Sequence, residues 1–179
     1  MRGRWRMAVF LAAPLAVALA GCTAPLPPPT ALTPAATRLD ADPMRAAIRG
    51  AADAFAYPEA MRGKPQDAAI AVAQLEFITT EIGAGRTTID FTGIVAPALE
   101  TGRFEARRYL GIPQDAPPQA VINALLATPP DLSQSAIFTA GPAETLRRLS
   151  DMPRMPQANA ATATARQQME FGPPEFPDL

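Results

Sequence analysis

The sequence contains no histidine and only one cysteine, Cys22. Histidine is the commonest general base and metal ligand near neutral pH, and a cysteine thiolate is a frequent second choice. The chain therefore has almost nothing with which to build a zinc, copper or haem site. A single cysteine also excludes a disulfide within the chain. We expect no metal site, no cofactor and no catalytic residue.

Common nucleophile and phosphate-binding motifs are also missing. The sequence has no G-x-S-x-G nucleophile elbow and no P-loop. Its only lysine, Lys64, stands before Pro65 in a turn where an exposed side chain is expected. This position argues against a serine–lysine dyad.

Two glutamates lie on the strongest helical pattern of the chain. Glu76 and Glu81 are five positions apart, which separates them by roughly 140° around a helix axis. Because they cannot both face one cleft from the same helix, we expect each to be a solvated charge. A hydrolase with two carboxylates stays open as an alternative, since the sequence does not give the side-chain separation that its mechanism needs.

The chain begins with a positively charged segment followed by an apolar run. Arg2, Arg4 and Arg6 precede uninterrupted apolar residues over 7–20, which is the layout of a secretory signal peptide. A helix of this length reaches roughly 21 Å, short of the ~30 Å hydrocarbon core of a bilayer. Pro14 further disfavours a stable helix. We therefore do not expect a permanent transmembrane span.

The run ends in Leu-Ala-Gly-Cys at residues 19–22, which resembles the lipobox of bacterial lipoproteins. The resemblance implies cleavage between Gly21 and Cys22, diacylglycerol on the Cys22 thiol, and acylation of the new amino terminus. Thr23 stands where an aspartate would retain such a protein at the inner membrane, so by resemblance the outer membrane is favoured. The alternatives are an ordinary signal peptide with a chance cysteine, or a buried apolar helix.

Acylation would hold the protein firmly at a membrane. Each buried methylene contributes about 0.8 kcal/mol, so two or three acyl chains bind far more tightly than one myristoyl chain. It would also consume the only thiol. We expect a permanent lipid anchor on the periplasmic face of the cell envelope.

The charge that remains after cleavage argues against nucleic acid. Residues 1–21 hold three arginines and no acid, so the mature chain has 13 basic and 17 acidic residues. A nucleic-acid partner needs a basic face, which this balance does not favour. We expect membrane lipid, through Cys22, and an envelope protein as partners.

Composition divides the chain into four parts. Residues 1–21 are the cleaved signal peptide, and 22–41 carry the lipidated cysteine and a Pro-rich segment. Such a composition favours a disordered tether that would reach up to ~60 Å from the bilayer. Residues 42–172 form the predicted helical domain, and 173–179 a flexible tail.

Apolar residues recur at helical spacing between proline and glycine boundaries. The predicted helices cover about 43–57, 65–83, 91–110, 117–128, 142–152 and 157–171. Pro97 predicts a kink or break in the third helix. Residues 131–140 fit either one helical turn or an extended segment, and 87–89 would allow a short strand.

These elements predict an all-α fold, an irregular bundle of five to six short helices. No period of 20 to 50 residues repeats, which excludes a solenoid. The body is loosely similar to uncharacterised lipoproteins of high-GC Gram-negative bacteria, without a named domain family. Five phenylalanines should form its core rather than line a ligand cavity: Phe55, Phe77, Phe91, Phe104 and Phe138.

The densest charge cluster lies in the third predicted helix. Arg103, Arg107 and Arg108 are the candidate ligand-binding residues, for a phospholipid headgroup or a peptidoglycan carboxylate. The alternative is a solvated helix face stabilised by ion pairs, such as Glu105 with Arg108.

Three functions follow in order of preference. The first is a non-enzymatic, lipid-anchored protein whose helical domain binds another envelope component. The second is a carrier or sensor of a small apolar or anionic ligand. The third is a carboxylate-dependent hydrolase. All-α lytic transglycosylases, some of which are lipoproteins, place a serine after the catalytic glutamate, and this sequence has no Glu-Ser pair.

Overall fold

The computed structural model describes residues 26–38 and 40–174. The predicted signal peptide and the lipobox-like residues 19–22 lie outside the described residues, as do residues 23–25, 39 and 175–179. The described chain is all-helical, which confirms the predicted fold class. Its α-helices are α1 (Pro43–Ala56), α2 (Pro65–Gly83), α3 (Val95–Leu110), α4 (Pro118–Leu126), α5 (Pro142–Ser150) and α6 (Pro156–Phe171), with short 3₁₀ turns at Pro34–Thr37 and Pro58–Met61.

The predicted start signals place several helices well. Asp42 caps α1, because its Oδ1 accepts a hydrogen bond of 2.8 Å from the Met44 backbone N–H. Proline is the first residue of five of the six helices, where it needs no hydrogen-bond partner for its nitrogen. The predicted bounds of α2 are confirmed.

The prediction for α3 is wrong at its beginning. The helix starts at Val95 rather than near Phe91, so Pro97 lies in the first turn. A proline there removes no intrahelical hydrogen bond, because the first N–H groups of a helix have no carbonyl four residues before them. The predicted kink or break is therefore not needed.

Residues 131–140 form hydrogen-bonded turns, and the extended alternative is wrong. The backbone N–H groups of Ile137 and Phe138 both donate to the Gln134 carbonyl, at 2.9 and 2.8 Å. These turns bury Phe138 completely. The segment 87–89 is not a strand either.

Helix α2 is the centre of the bundle. It packs against α1, α3, α4 and α5, while α6 lies against α1 and α3. Every residue from Ala71 to Ile82 is buried, so α2 has no solvent face over three turns. The predicted phenylalanine core is confirmed for Phe55, Phe77 and Phe138, whereas Phe104 is 51% exposed.

Helices α3 and α6 approach each other closely at a glycine. A Cβ atom on Gly102 would lie only 2.8 Å from the Cα of Ala158. Since α6 has alanine at the facing position, the two backbones meet without large side chains between them. This contact fixes which side of α3 is covered.

The Pro-rich segment is not a free tether. Residues 26–38, which we call the strap, lie against the bundle through hydrogen bonds with four polar side chains, those of Gln74, Glu81, Arg86 and Gln119. Glu81 Oε1 accepts hydrogen bonds from the Thr30 backbone N–H at 2.7 Å and hydroxyl at 2.8 Å. Gln74 donates to the Ala36 carbonyl at 2.7 Å. The expectation of disorder is wrong for these residues, because the domain supplies the hydrogen bonds that an isolated polyproline segment lacks.

Within residues 26–38 and 40–174, none of the helices combines the length and the apolar character needed to cross a membrane.

Candidate functional site

Three arginines of α3 have different environments. Arg107 is 1% exposed and forms a bidentate pair with Glu76 of α2. Its Nε donates to Oε1 and its Nη2 to Oε2, each at 2.7 Å. A two-pronged geometry of this kind is the strongest form of the arginine–carboxylate interaction.

The remaining nitrogen of Arg107 organises the loop after α3. Its Nη1 donates to three backbone carbonyls, those of Pro113, Gln114 and Ala116, at 2.9 to 3.0 Å. Gly111, with a φ of 75°, ends α3 and turns the chain back toward this guanidinium. The hydrogen-bond donors of Arg107 are therefore all used within the protein, and its role is structural.

Both glutamates of α2 are buried, contrary to the expectation of solvated charges. Glu76 is 1% exposed and Glu81 is 6% exposed. Burial opposes the ionisation of Glu81, but hydrogen bonds from Arg86 and Thr30 outweigh it and lower the pKa of this carboxyl below its ordinary value. The two carboxylates bind different arginines rather than facing each other across a cleft.

Arg103 is also engaged. It is partly buried and pairs with Glu100 one turn earlier on α3. Its Nη1 donates to the Thr80 hydroxyl at 3.4 Å and lies 4.0 Å from Glu76. Arg103 thus extends the buried pair toward the surface.

Arg108 lies on another side of α3 and lines a cleft between α3, α5 and the beginning of α6. The cleft has a volume of about 770 Å³. We call it the arginine cleft, because four arginines line it together with two aromatic side chains: Arg108, Arg147, Arg148, Arg154, Phe104 and Tyr109. Of the three predicted binding residues, only Arg108 lines it.

Two arginines of the cleft share one carboxylate. Arg147 Nη2 and Arg148 Nε each donate to Glu144 Oε1 at 2.7 Å. Hydrogen bonds from Arg147 and then Arg148 lower the pKa of Glu144 to about 2. The Arg148 guanidinium also lies 6.0 Å from the centre of the Tyr109 ring, which is the outer limit of a cation–π contact.

A second carboxylate in the cleft binds backbone rather than arginine. Glu105 Oε2 accepts hydrogen bonds from the N–H groups of Gln157 and Ala158, at 2.9 and 3.0 Å. It thereby caps α6, whose N-terminus favours a negative charge. The predicted Glu105–Arg108 ion pair is absent from the described part of the chain.

The cleft therefore carries a net positive charge, because arginines outnumber carboxylates among its lining residues. Four arginines face two glutamates, and both glutamates are already bonded. Arg108 and Arg154 make no ion pair and donate no hydrogen bond within the described residues. These two guanidiniums are available to an anion.

A second cleft provides a contrast. It has a volume of about 520 Å³ and lies between α1, α2 and the 3₁₀ turns. Its charges balance, because Arg38 and Lys64 are matched by Asp53 and Asp67. Lys64 Nζ donates to the Ala60 carbonyl at 3.0 Å rather than to a serine.

Sequence reasoning missed most of the arginine cleft. Arg147 and Arg148 follow Glu144 by three and four residues, which is an ion-pair spacing that the sequence does show. Arg154 carries no such signal. Only the packing of α5 and α6 against α3 brings these residues to Arg108.

Comparison of the chain with protein-family models, with curated proteins and with solved structures found no match. The fold and the cleft define the class by themselves: an all-α bundle with a positive, solvent-open cleft.

Proposed function

We propose that this protein is a lipid-anchored envelope protein that acts by binding rather than by catalysis. Acylated Cys22 holds it on the periplasmic face of the outer membrane, and the helical domain engages an anionic component of the envelope. The anchor rests on the lipobox sequence. The binding role rests on the arginine cleft.

The observation that carries the binding role is the pair of partnerless arginines in a cleft. Arg108 and Arg154 have no carboxylate partner in the described chain, whereas Arg103 and Arg107 on the same bundle do. Arginine forks match carboxylate and phosphate groups, and aromatic surface beside them adds stacking area. An anionic partner would complete this arrangement.

Fractionation of cells tests the anchor. The wild-type protein should be recovered with detergent-solubilised outer membranes, and Cys22→Ala should lose that association. Metabolic labelling with a fatty acid should mark the wild type alone. Recovery of the wild type in the soluble periplasm, with Cys22→Ala unchanged, would refute the anchor.

Crosslinking in intact cells tests the binding surface. A photo-reactive amino acid replaces Phe104 in the arginine cleft or, as a control, Tyr57 in the second cleft. Both are aromatic and exposed, by 51% and 61%. We expect a specific adduct from position 104 that disappears with Arg108→Glu. Equal adducts from both positions would refute a role for the cleft.

A second candidate is a carrier of a small anionic ligand. The cleft volume of about 770 Å³ lies in the range typical of small-molecule sites. A carrier would retain its ligand through purification, so native mass spectrometry of the purified protein should show a bound mass that Arg108→Glu removes. An adduct from position 104 in intact cells, with no bound mass retained by the purified protein, would favour the first proposal.

A further inference from the structure

We infer that the arginine cleft binds the phosphate groups of anionic phospholipids in the same membrane that holds the acylated Cys22. The inference rests on the proposed function, because it takes the lipid anchor as given. It names the anionic component as the surface of the bilayer itself.

The chemistry of the cleft fits a phospholipid headgroup. A phosphodiester carries one negative charge next to a glycerol and acyl portion, so its site needs a cation beside apolar surface. Arg108 and Arg154 supply the cations, and Phe104 and Met155 supply apolar surface in the same cleft. A free inorganic phosphate would use only the arginines and leave the half-exposed Phe104 ring in water.

The position of the cleft relative to the anchor supports the same occupant. Pro27 of the strap borders a depression together with Glu100 and Arg103 of α3. The next depression along α3 shares Arg103 and adds Phe104, which also lines the arginine cleft. Three depressions with shared lining residues therefore follow one another along α3 from the strap to Arg108, and we call this row of depressions the groove.

Chain length keeps this groove close to the bilayer. Pro27 is five positions after Cys22, and a fully extended chain spans at most about 18 Å over five steps. From Glu100 to Arg108 the helix rises about 12 Å. A lipid attached at Cys22 thus brings the surrounding headgroups within a domain diameter of the cleft.

The strap is held where it meets the groove. Arg86 pairs with Glu81 and donates to the carbonyls of Pro27 and Pro28, at 3.1 and 3.3 Å. Because Pro27 is fixed to the end of α2, the domain does not swing freely about this point. The side of α3 that carries the groove then stays beside Pro27, five positions after the proposed anchor at Cys22.

The test uses the acylated full-length protein in vesicles. Acylation blocks Cys22, so Thr101→Cys on the rim of the cleft introduces a unique thiol for a fluorescent label. Vesicles contain phosphatidylcholine alone or with phosphatidylglycerol, plus a headgroup spin label as quencher. We expect clear quenching at position 101 with phosphatidylglycerol, little with phosphatidylcholine alone, and a decrease at high salt.

Charge reversal at the free arginines should remove this contact. Each arginine near an anionic surface contributes about fivefold in affinity, so Arg108→Glu with Arg154→Glu should weaken the contact by about tenfold or more. The matched control, Lys64→Glu in the second cleft with Arg62→Glu two residues before it, should leave quenching at position 101 unchanged. A label at Tyr57→Cys should be quenched little in either vesicle.

Three results would overturn the inference. The first is quenching that is the same with and without phosphatidylglycerol, which would mean that the strap alone sets the position of the cleft. The second is quenching that the two charge reversals do not change. The third is no quenching at all while the protein stays membrane-bound through Cys22. In that last case the proposed anchor stands and the cleft binds another partner, whereas loss of membrane binding itself would refute the proposed function.

Discussion

Arg107 and Arg108 are consecutive residues of α3 with opposite environments. Arg107 is buried against Glu76 and three backbone carbonyls, and Arg108 is exposed in a cleft and its side chain makes no ion pair or hydrogen bond within residues 26–38 and 40–174. A turn of about 100° around one helix axis separates the two. The same type of side chain thus stabilises the core at one position and lies exposed in a cleft at the next.

The two positions differ in energetic consequence. A buried ion pair adds little net stability compared with apolar residues, but removing one partner leaves an uncompensated charge. Replacing an exposed arginine carries no comparable penalty, since water solvates its charge in both the folded and the unfolded state. Stability experiments should therefore separate the two residues before any ligand is known.

The largest expected effect is at Arg107. Arg107→Met leaves the Glu76 carboxylate buried without its partner and should lower the free energy of unfolding by about 3–5 kcal/mol. Urea denaturation measures it. Arg108→Met is the matched control and should change stability by less than about 0.5 kcal/mol. Adding Glu76→Met to Arg107→Met should recover much of the loss, and similar losses for the two single variants would contradict the comparison.

The close contact between Gly102 of α3 and Ala158 of α6 gives the next largest expected loss of stability. Gly102→Ala places a Cβ 2.8 Å from the Ala158 backbone, so α3 and α6 must move apart. We expect a loss of about 1–3 kcal/mol despite the better helix propensity of alanine. Gly83→Ala, where the nearest atom is 4.0 Å away, is the control and should be neutral or stabilising.

Release of the strap should have a smaller effect that depends on pH. Glu81→Gln removes the charge that binds Arg86 and Thr30, and we expect a loss of about 1–2 kcal/mol at neutral pH. The folded-state pKa of Glu81 lies below its unfolded value, so its contribution is full above the unfolded pKa and disappears as pH falls through the folded pKa. Denaturation at neutral pH and near pH 3 should show the difference in stability between the wild type and Glu81→Gln closing as the pH falls.

Glu144→Gln should have the smallest effect on stability and should increase binding of the cleft to anionic vesicles. Glu144→Gln removes the carboxylate that binds Arg147 and Arg148, and so leaves both arginines without a charged partner, although Arg148 Nη1 still donates to the Tyr109 carbonyl. Stability should change little, because these ion pairs lie at the surface. Quenching of the label at position 101 by anionic vesicles should increase. Asp67→Asn in the second cleft is the control, and a decrease with Glu144→Gln would contradict the charge argument.

Local spacing predicted the bundle but not the state of its charges. The helix positions follow from proline, glycine and apolar period, which act within a few residues. Glu76 and Glu81 have an angular separation that places at least one of them in water on a helix with one buried face. Helix α2 instead has neighbours on all sides, and that property depends on the whole fold.

The strap and the cleft depend on contacts between distant parts of the chain. The composition of residues 26–38 predicts polyproline II and loop rather than packed structure, because their partners Gln74 and Glu81 lie 38 and 51 positions away in the sequence. The charge cluster of the third predicted helix indicates Arg108 as a binding residue. No pattern in the sequence links α3 to the residues of α5 and α6 that line the cleft with Arg108.

The docked strap also sets how strongly the domain is confined. With the proposed lipid anchor at Cys22, a free 19-residue tether would let the domain lie up to ~60 Å from the bilayer, whereas the five positions from Cys22 to Pro27 keep Pro27 within about 18 Å of the anchor. The effective concentration of a tethered pair rises steeply as the linker shortens. A cleft with weak intrinsic affinity would then be saturated by ligands on its own membrane, while ligands on the opposite membrane would be beyond its reach.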